Sequence, residues 1–206
     1  MSYWSAPNGL FADPNDVAGV FTKIYDDRVW GGGSGIGSDP NVARPYLNFL
    51  QNFLIANDVG SVVDIGCGDW QFSRFIDWKN ATYHGIDVVP SVIEANTRQF
   101  TRANIRFTCG NPLDDTVDVG GGDLLLLKDV LQHLSNANVV KLLDLTKRFK
   151  FSLITNAHAI SNSDCNNGDT RPLDIRRPPF NVRHAAGLFG MNEKAVFLVV
   201  SPEAAL

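Results

Sequence analysis

The fold is decided by one stretch of the sequence, which reads Val62-Val63-Asp64-Ile65-Gly66-Cys67-Gly68-Asp69-Trp70. An apolar run that leads into two glycines one residue apart is typical of a buried β-strand ending in a tight turn. A second run, Tyr83-His84-Gly85-Ile86, ends on Asp87, nineteen residues after Gly68. A strand, a glycine turn, a helix and a strand that ends on a carboxylate form half of a nucleoside-binding α/β unit.

The same turn predicts a nucleoside that carries no phosphate. The dinucleotide fingerprint needs a third glycine three residues after the second, and this chain has Gln71 there. The carboxylate of Asp69 would also repel phosphates at the start of the following helix. S-adenosylmethionine fits, because it has a ribose for Asp87 and a cationic sulfonium and amino group.

This run resembles the first motif of the class I S-adenosylmethionine-dependent methyltransferases, in which an acidic residue precedes Gly-x-Gly-x-Gly. Trp70 stands where the family has its last glycine. The resemblance covers roughly residues 60–156. It implies an α/β fold with a doubly wound, mostly parallel seven-stranded sheet and an N-terminal helical cap.

The remaining elements are predicted from hydrophobic periodicity and from turn and capping residues. We expect strands at about 61–65, 82–87, 105–108, 124–128 and 151–155, and an antiparallel pair formed by 185–189 and 195–200 around a turn at 190–193. We expect helices at about 14–27, from 40 or 43 onward, 70–77, 90–101 and 136–148.

One structural domain is predicted, in two parts. Residues 1–58 would supply N-terminal helices and a glycine-rich lid over the cofactor, because five glycines fall between Gly31 and Gly37. Residues 59–206 would form the methyltransferase core, with a polar substrate loop at about 157–184. Residues 1–12 are expected to be irregular.

The resemblance also implies a set of cofactor-binding positions. Asp87 matches the family's ribose-binding acid, and Asn111 lies where the family contacts the adenine amino group. The residues after the first and fourth strands would hold the methionine end. The cofactor-binding residues predicted in this way are Trp30, Gly32, Asp64, Gly66, Cys67, Gly68, Asp69, Asp87, Val88, Asn111, Pro112, Lys128, Asp129 and Val130.

Two histidines are the candidate catalytic residues, His133 after the fourth strand and His158 after the fifth. An imidazole can accept a proton at neutral pH, because its ordinary pKa is about 6.5. His133 acts either as a general base or as a positioning residue, and His158 either as a base or as a substrate contact. No metal site is predicted, since Asp129 and Asn156 lack a clear third oxygen ligand.

Charge and cysteine content exclude several classes of function. The net charge is −4, and without clustered basic residues a nucleic-acid partner is not expected. Three cysteines without metal-ligand spacing are compatible with a reducing cytoplasm. No apolar run of about 18 residues predicts a membrane span. The sequence does not predict the oligomeric state.

The predicted function is transfer of a methyl group from S-adenosylmethionine to an oxygen or nitrogen atom of a small molecule. Arginines cluster between 171 and 183, and guanidinium groups would select an anionic acceptor if they faced the site. Two alternatives stay open. One is an enzyme that uses the same cofactor for cyclisation or elimination, and the other is a non-catalytic module that only binds the cofactor.

Overall fold

The computed structural model describes residues 13, 15–114 and 117–202, so the prediction for residues 1–12 lies outside the described residues. A seven-stranded sheet runs through the molecule in the order β3-β2-β1-β4-β5-β7-β6. The strands are β1 (Ser61–Ile65), β2 (Thr82–Asp87), β3 (Ile105–Cys109), β4 (Gly122–Lys128), β5 (Phe149–Ala157), β6 (Ala185–Met191) and β7 (Lys194–Val200).

The first five strands are parallel, whereas β7 is antiparallel to β5 and to β6. Strand order reverses between β1 and β4, so the segments that follow these two strands leave toward opposite faces of the sheet and a crevice forms between them. The doubly wound, mostly parallel seven-stranded fold predicted from the sequence is therefore confirmed.

Four α-helices are present in the described chain: α1 (Val17–Asp26), α2 (Arg44–Ala56), α3 (Pro90–Phe100) and α4 (Asn136–Asp144). Apolar side chains of α2, including Tyr46, Leu50 and Phe53, are buried against one face of the sheet. Val17 belongs to the cluster on the other face. The two N-terminal helices thus contact both apolar layers that cover the central strands.

The helix predicted at 70–77 is wrong, because the chain forms only a short 3₁₀ turn at Ser73–Phe75. Trp70 adopts a left-handed backbone conformation with φ of 57°, which stops a helix from starting there. Its indole packs against Phe100 and Phe107, with ring centroids 5.0 and 5.4 Å away. Burial of large aromatic side chains overrides the helical pattern here.

Other boundaries shift by a few residues. Helix α2 begins at Arg44, and Asp39 instead accepts backbone hydrogen bonds in the preceding turn. Helix α4 ends at Asp144 and continues as a 3₁₀ turn to Arg148. The terminal hairpin closes with a two-residue turn at Asn192 and Glu193, both with positive φ, as tight hairpin turns require.

Beyond Ala157, where β5 ends, the polar stretch to 184 has no helix or strand, but its centre is firmly packed. Leu173 and Ile175 are fully buried in the core cluster that also contains Leu125 and Leu127 of β4. The backbone N–H of Leu173 donates to the carbonyl of Ala157, and that of Val182 donates to Ile175. This segment is therefore part of the core as well as a neighbour of the crevice.

Candidate cofactor and acceptor site

A cavity of about 1030 Å³ lies at the carboxyl ends of β1, β2 and β4, where strand order reverses. Helix α1, the residues between α1 and α2, and the β6–β7 turn close it from the other sides. The predicted site residues that line the cavity are Trp30, Asp64, Gly66, Cys67, Gly68, Asp87, Val88, Asn111, Pro112, Lys128, Asp129, Val130, His133 and His158.

The glycine turn after β1 brings backbone directly to the cavity wall. Gly66 and Gly68 both have positive φ, 71° and 55°. A Cβ atom on Gly66 would lie 2.5 Å from Cγ2 of Val130, and one on Gly68 would lie 2.1 Å from Oγ of Ser34. Both positions therefore need glycine for their backbone conformation and for the close approach of neighbouring segments.

Asp87 is buried at the end of β2 with its carboxylate fixed by the backbone. The N–H of Gly68 donates to Oδ2 at 2.9 Å, and the N–H of Val89 donates to Oδ1 at 3.1 Å. Burial raises the pKa of Asp87, and these backbone bonds offset part of the rise. Each carboxylate oxygen has a further lone pair with which it can accept a bond from a ligand hydroxyl.

Asp64 lies on the floor of the cavity beneath the glycine turn. Burial raises its pKa to about 7, although the Tyr83 hydroxyl donates to Oδ2 at 2.7 Å and Lys128 exerts an opposing effect. Asn111 lies at the opposite end, with its carbonyl oxygen accepting from the N–H of Leu113 at 3.1 Å. That oxygen keeps a second lone pair for a ligand donor.

Asp129 lies between two lysines just after β4. Its backbone has a φ of 61°, and Oδ2 accepts from Nζ of Lys128 at 2.7 Å and from Nζ of Lys194 at 2.6 Å. Burial would raise the pKa of Asp129, but the two ammonium groups outweigh it and hold the pKa below its ordinary value. Its Oδ1 is buried and has no donor among the described residues.

His133 is held by hydrogen bonds at both ring nitrogens. Nδ1 lies 3.0 Å from the carbonyl oxygen of Asp169, which can only accept, so Nδ1 carries the proton. Nε2 then accepts from the Gln132 amide nitrogen at 3.2 Å. Burial lowers the pKa of His133, which favours the neutral ring. The ring also lies 4.9 Å from that of Trp30.

The segment at 31–43, here called the lid, is attached to the rest of the cavity wall mainly by side chains. The Ser34 hydroxyl donates to Oδ1 of Asp69 at 2.7 Å and lies 2.7 Å from the Tyr25 hydroxyl, while the Asp69 N–H donates back to Ser34. Nζ of Lys128 donates to the carbonyl of Gly37, at the middle of the lid.

Two sequence-based assignments need correction, since Gly32 and Asp69 do not line the cavity. The Asp69 carboxylate instead accepts bonds from the lid backbone at Ser34 and from the Gln71 amide. Gly32 lies among the glycines that lead into the lid. Asp69 therefore holds the lid, and its negative charge is already used within the protein.

The two tryptophans and the two remaining histidines lie in different surroundings. Trp30 lines the cavity, whereas Trp70 is packed in the core, where it contacts Tyr83. His84 is buried with Nε2 2.8 Å from the Thr108 hydroxyl, and burial lowers its pKa to about 4. His184 is exposed.

The arginines expected to select an anion do not reach this cavity. Arg171 is buried and donates to the Leu134 carbonyl and the Asn136 side chain, which gives it a structural role. Arg176 pairs with Asp174. No arginine is present among the residues that line the large cavity in the described part of the chain.

Sequence reasoning missed three residues that the fold brings to the site: Ser34, Gln132 and Lys194. Gln132 precedes His133 in the chain, so its place beside that ring could have been suspected. Ser34 and Lys194 lie 35 and 65 residues from the aspartates they contact, and no local signal identifies such pairs. Within residues 13, 15–114 and 117–202, no cluster of three metal-ligating side chains is found.

Residues 63–149 match a family model that describes a methyltransferase domain. The matched segment contains the glycine turn, Asp87, Asn111 and His133. This segment is therefore similar to a methyltransferase domain, and the chain has the class I methyltransferase fold. Domains of this kind use S-adenosylmethionine as the cofactor and transfer its methyl group. No curated protein sequence matches the chain.

Solved structures of low sequence identity share the methyltransferase fold. The N-methyltransferase NodS from Bradyrhizobium japonicum, in complex with S-adenosyl-L-homocysteine, is 16% identical with a TM-score of 0.60, over 80% of this chain and 89% of that one. Magnesium protoporphyrin IX methyltransferase from Synechocystis, also with bound S-adenosyl-L-homocysteine, is 14% identical with a TM-score of 0.62, over 92% and 100%.

An O-methyltransferase family protein from Burkholderia thailandensis is 15% identical with a TM-score of 0.58, over 78% of this chain. The matched region spans 57% of that protein. At these identities the likeness establishes the fold, and the acceptor has to be inferred from the cavity itself.

None of the helices in the described residues is both long and apolar enough to cross a membrane.

Proposed function

We propose that this methyltransferase transfers the methyl group of S-adenosylmethionine to an oxygen or nitrogen atom of a small-molecule acceptor. The observation that carries the proposal is the size of the cavity. A volume of about 1030 Å³ lies at the upper end of the roughly 300–1000 Å³ of ligand pockets, which leaves room for a second ligand beside a nucleoside.

The residues on the β1–β2 side fit the cofactor. Asp87 offers both oxygens to the ribose hydroxyls, and the carbonyl of Asn111 offers an acceptor to the adenine amino group. The backbone at Gly66 and Gly68 lines the cavity, with the side chains of Val130 and Ser34 packed against the two glycines. Asp129 offers its unpartnered Oδ1 to the cofactor's α-ammonium group, and Lys128 and Lys194 lie close enough to attract its carboxylate.

When bound, S-adenosylmethionine supplies a methyl group that is already activated by the positive sulfur. The protein then has to orient the acceptor, exclude water and accept one proton. Orientation is worth at most about 7–11 kcal/mol, and a general base adds roughly 10²–10⁴-fold. The lid and the buried cavity floor supply the orientation and the exclusion of water.

His133 and His158 are the candidates for handling the proton. His133 is neutral with its acceptor lone pair on Nε2, which is the tautomer that a base needs. The Gln132 amide bonds that lone pair at 3.2 Å, so an acceptor hydroxyl must displace a long hydrogen bond. His158 lies at the rim, nearly half exposed, beside the carboxylate of Asp174. We assign base or positioning work to His133 and acceptor contact to His158.

The rival functions make different demands on this cavity. A cyclase or lyase acting on S-adenosylmethionine alone needs a pocket that fits one ligand closely, and this cavity is larger. A non-catalytic binder needs no ordered imidazole beside the ligand.

A cytoplasmic location is part of the proposal, and the cysteine content of the sequence is compatible with it.

The test is incubation of the protein with methyl-labelled S-adenosylmethionine and a metabolite extract, followed by identification of the labelled product. We expect a labelled small molecule that depends on the extract. A labelled product that forms from the cofactor alone, without the extract, would favour the cyclase or lyase. Cofactor binding without any product would favour the binding module.

The contribution of His133 is measured with the acceptor found in this way. His133→Ala should lower kcat by roughly 10²-fold or more if the imidazole is the base, with S-adenosylhomocysteine affinity almost unchanged. Gln132→Leu frees the Nε2 lone pair and serves as the matched variant. Normal turnover by His133→Ala would remove His133 from proton transfer.

A further inference from the structure

A second, open groove of about 690 Å³ lies beside the large cavity on the hairpin formed by β6 and β7. The two spaces share His158 and the four residues from Met191 to Lys194. These shared residues place the groove next to the His158 side of the cavity. The groove is not needed for the cofactor, whose binding residues all lie in the large cavity.

One part of the groove is apolar. It is lined by Leu188, Phe189, Ala195 and the glycines 187 and 190, and the Phe197 ring lies almost fully buried beneath it. Strand β6 is the edge of the sheet, and Leu188 is 40% exposed. These surfaces suit a hydrocarbon or aryl portion of a ligand, whose burial is favourable at about 25 cal/mol per Å².

A cationic centre lies at the side of this apolar surface. The guanidinium of Arg176 stands over the Phe197 ring, 4.9 Å from its centroid. Its Nε and Nη2 donate to the two oxygens of Asp174 at 3.0 and 2.7 Å. Nη1 has no acceptor among the described residues, so the edge of the guanidinium that carries Nη1 and Nη2 remains available to a second anion.

The charges around Asp174 do not balance. This buried carboxylate faces Arg176, and Nε of Arg177 and Nε2 of His158 each lie 3.8 Å from its Oδ2. Around Asp174 itself, two guanidinium groups against one carboxylate leave one positive charge in excess, and Glu193 is the further carboxylate that lines the groove. Burial alone would raise the pKa of Asp174, but the hydrogen bonds from Arg176 lower it by more than burial raises it. The carboxylate therefore stays ionised.

The groove floor is open directly beneath the free nitrogen of Arg176. A Cβ atom on Gly187 would lie 3.6 Å from Nη1 and 4.0 Å from the Phe197 ring, which is ordinary contact distance. Because Gly187 has no side chain, the space next to Nη1 is left for a ligand. A larger residue at this position would fill that space without distorting the strand.

We propose that this groove is a distal acceptor subsite, and that it binds the carboxylate end of an elongated, mainly apolar acceptor through Arg176. The inference rests on the proposed function, since it assigns the far end of the molecule whose near end receives the methyl group. Arg176 determines specificity and does not take part in methyl transfer.

The test measures binding of two matched probes, 6-phenylhexanoate and 6-phenylhexan-1-ol, to protein saturated with S-adenosylhomocysteine. We expect the acid to bind about tenfold more tightly than the alcohol, as one additional bond to a charged group allows. Gly187→Val should weaken binding of both probes by filling the groove. Arg176→Gln should remove the preference for the acid.

Arg183→Gln is the matched control, because Arg183 is exposed and does not line the groove. It should leave both affinities unchanged. S-adenosylhomocysteine affinity, measured separately, should be the same in all variants. Equal binding of the two probes, binding of neither, or full binding by Gly187→Val overturns the distal subsite. Failure of S-adenosylhomocysteine to bind the wild type overturns the proposed cofactor site instead.

Discussion

The cofactor wall, formed by the glycine turn and Asp87, is fixed by backbone hydrogen bonds, whereas the lid at 31–43 is fixed mostly by side chains. Gly66 N–H donates to the Ile86 carbonyl at 2.8 Å, so the turn is tied to the adjoining strand. The lid depends on Ser34, Lys128 and a long 3.3 Å bond from Asn192 to the Val42 carbonyl.

This difference suggests that the cofactor wall and the lid have different roles in ligand binding. Strand pairing orders the cofactor wall before any ligand arrives, because its donors and acceptors are satisfied within the sheet. The few side-chain hydrogen bonds that hold the lid each contribute about 0.5–3 kcal/mol, so opening the lid costs less than separating the paired strands. Affinity should therefore depend most on the cofactor wall, and release rate on the lid.

The largest effect is expected for Asp87→Ala. Loss of two hydrogen bonds from ribose hydroxyls to a carboxylate should weaken S-adenosylhomocysteine binding by about 3 kcal/mol, roughly a hundredfold. Titration calorimetry measures this directly. Asp87→Asn keeps one acceptor oxygen, so its affinity for S-adenosylhomocysteine should lie between those of the wild type and Asp87→Ala.

Asp123→Ala is the control for Asp87→Ala. Asp123 accepts bonds from the backbone at Gly60 and Ser61 and does not line the cavity. Its loss should lower the free energy of unfolding and leave cofactor affinity unchanged. Undiminished affinity in Asp87→Ala would contradict the division of roles between the cofactor wall and the lid.

A smaller loss is expected for Gly68→Ala. The new methyl group meets Ser34 Oγ, and alanine is strained at a φ of 55°, so we expect affinity to fall by about 2 kcal/mol. Gly120→Ala is the matched control, because Gly120 has a φ of 70° with nothing within 4 Å of its Cβ position. If both variants bind S-adenosylhomocysteine equally well, the close approach of lid and turn does not matter for binding.

Ser34→Ala should affect kinetics more than affinity. It removes the bonds to Asp69 and Tyr25, and we expect S-adenosylhomocysteine to leave about tenfold faster, measured by stopped-flow displacement. Tyr25→Phe removes one of these bonds and should give a smaller acceleration. Ser163→Ala, at an exposed position, should not change the rate. Unchanged release from Ser34→Ala would mean that the lid does not control it.

The smallest effect concerns His84, which lies in the sheet beneath the cofactor wall. Its pKa of about 4 in the folded state is below the ordinary 6.5, so the unfolded chain binds the proton first as the pH falls. This group therefore removes stability between pH 6.5 and about 4. Denaturant unfolding at pH 7 and pH 5 should show a smaller loss for His84→Gln than for the wild type. An equal loss would show that His84 is not the source.

Much of the fold was predictable because its signals are local. The apolar runs of β1, β2 and β4, the proline at the start of α3 and the spacing from Gly68 to Asp87 each depend on neighbouring residues. The absence of a helix at 70–77 was not predictable in this way. The pattern of this segment is helical, but burial of Trp70 and Trp78 in an aromatic cluster determines the backbone there.

The cavity shows the same limit. Its floor follows from strand order. Asp64 and Asp87 lie near the carboxyl ends of β1 and β2 and Asn111 follows β3, so the sequence placed them at that edge of the sheet. The partners that orient the charged groups come from distant segments. Asp69 illustrates the consequence, because its sequence position indicates a cofactor contact while its carboxylate is occupied by Ser34.

The sequence by itself determined the parallel sheet, the glycine turn and the acid after β2, since hydrophobic periodicity and the freedom of glycine act over a few residues. Only the tertiary structure decided that Lys194 faces Asp129 and that Asp69 holds the lid. Those contacts join segments tens of residues apart, and their geometry is set by how the segments pack against the core.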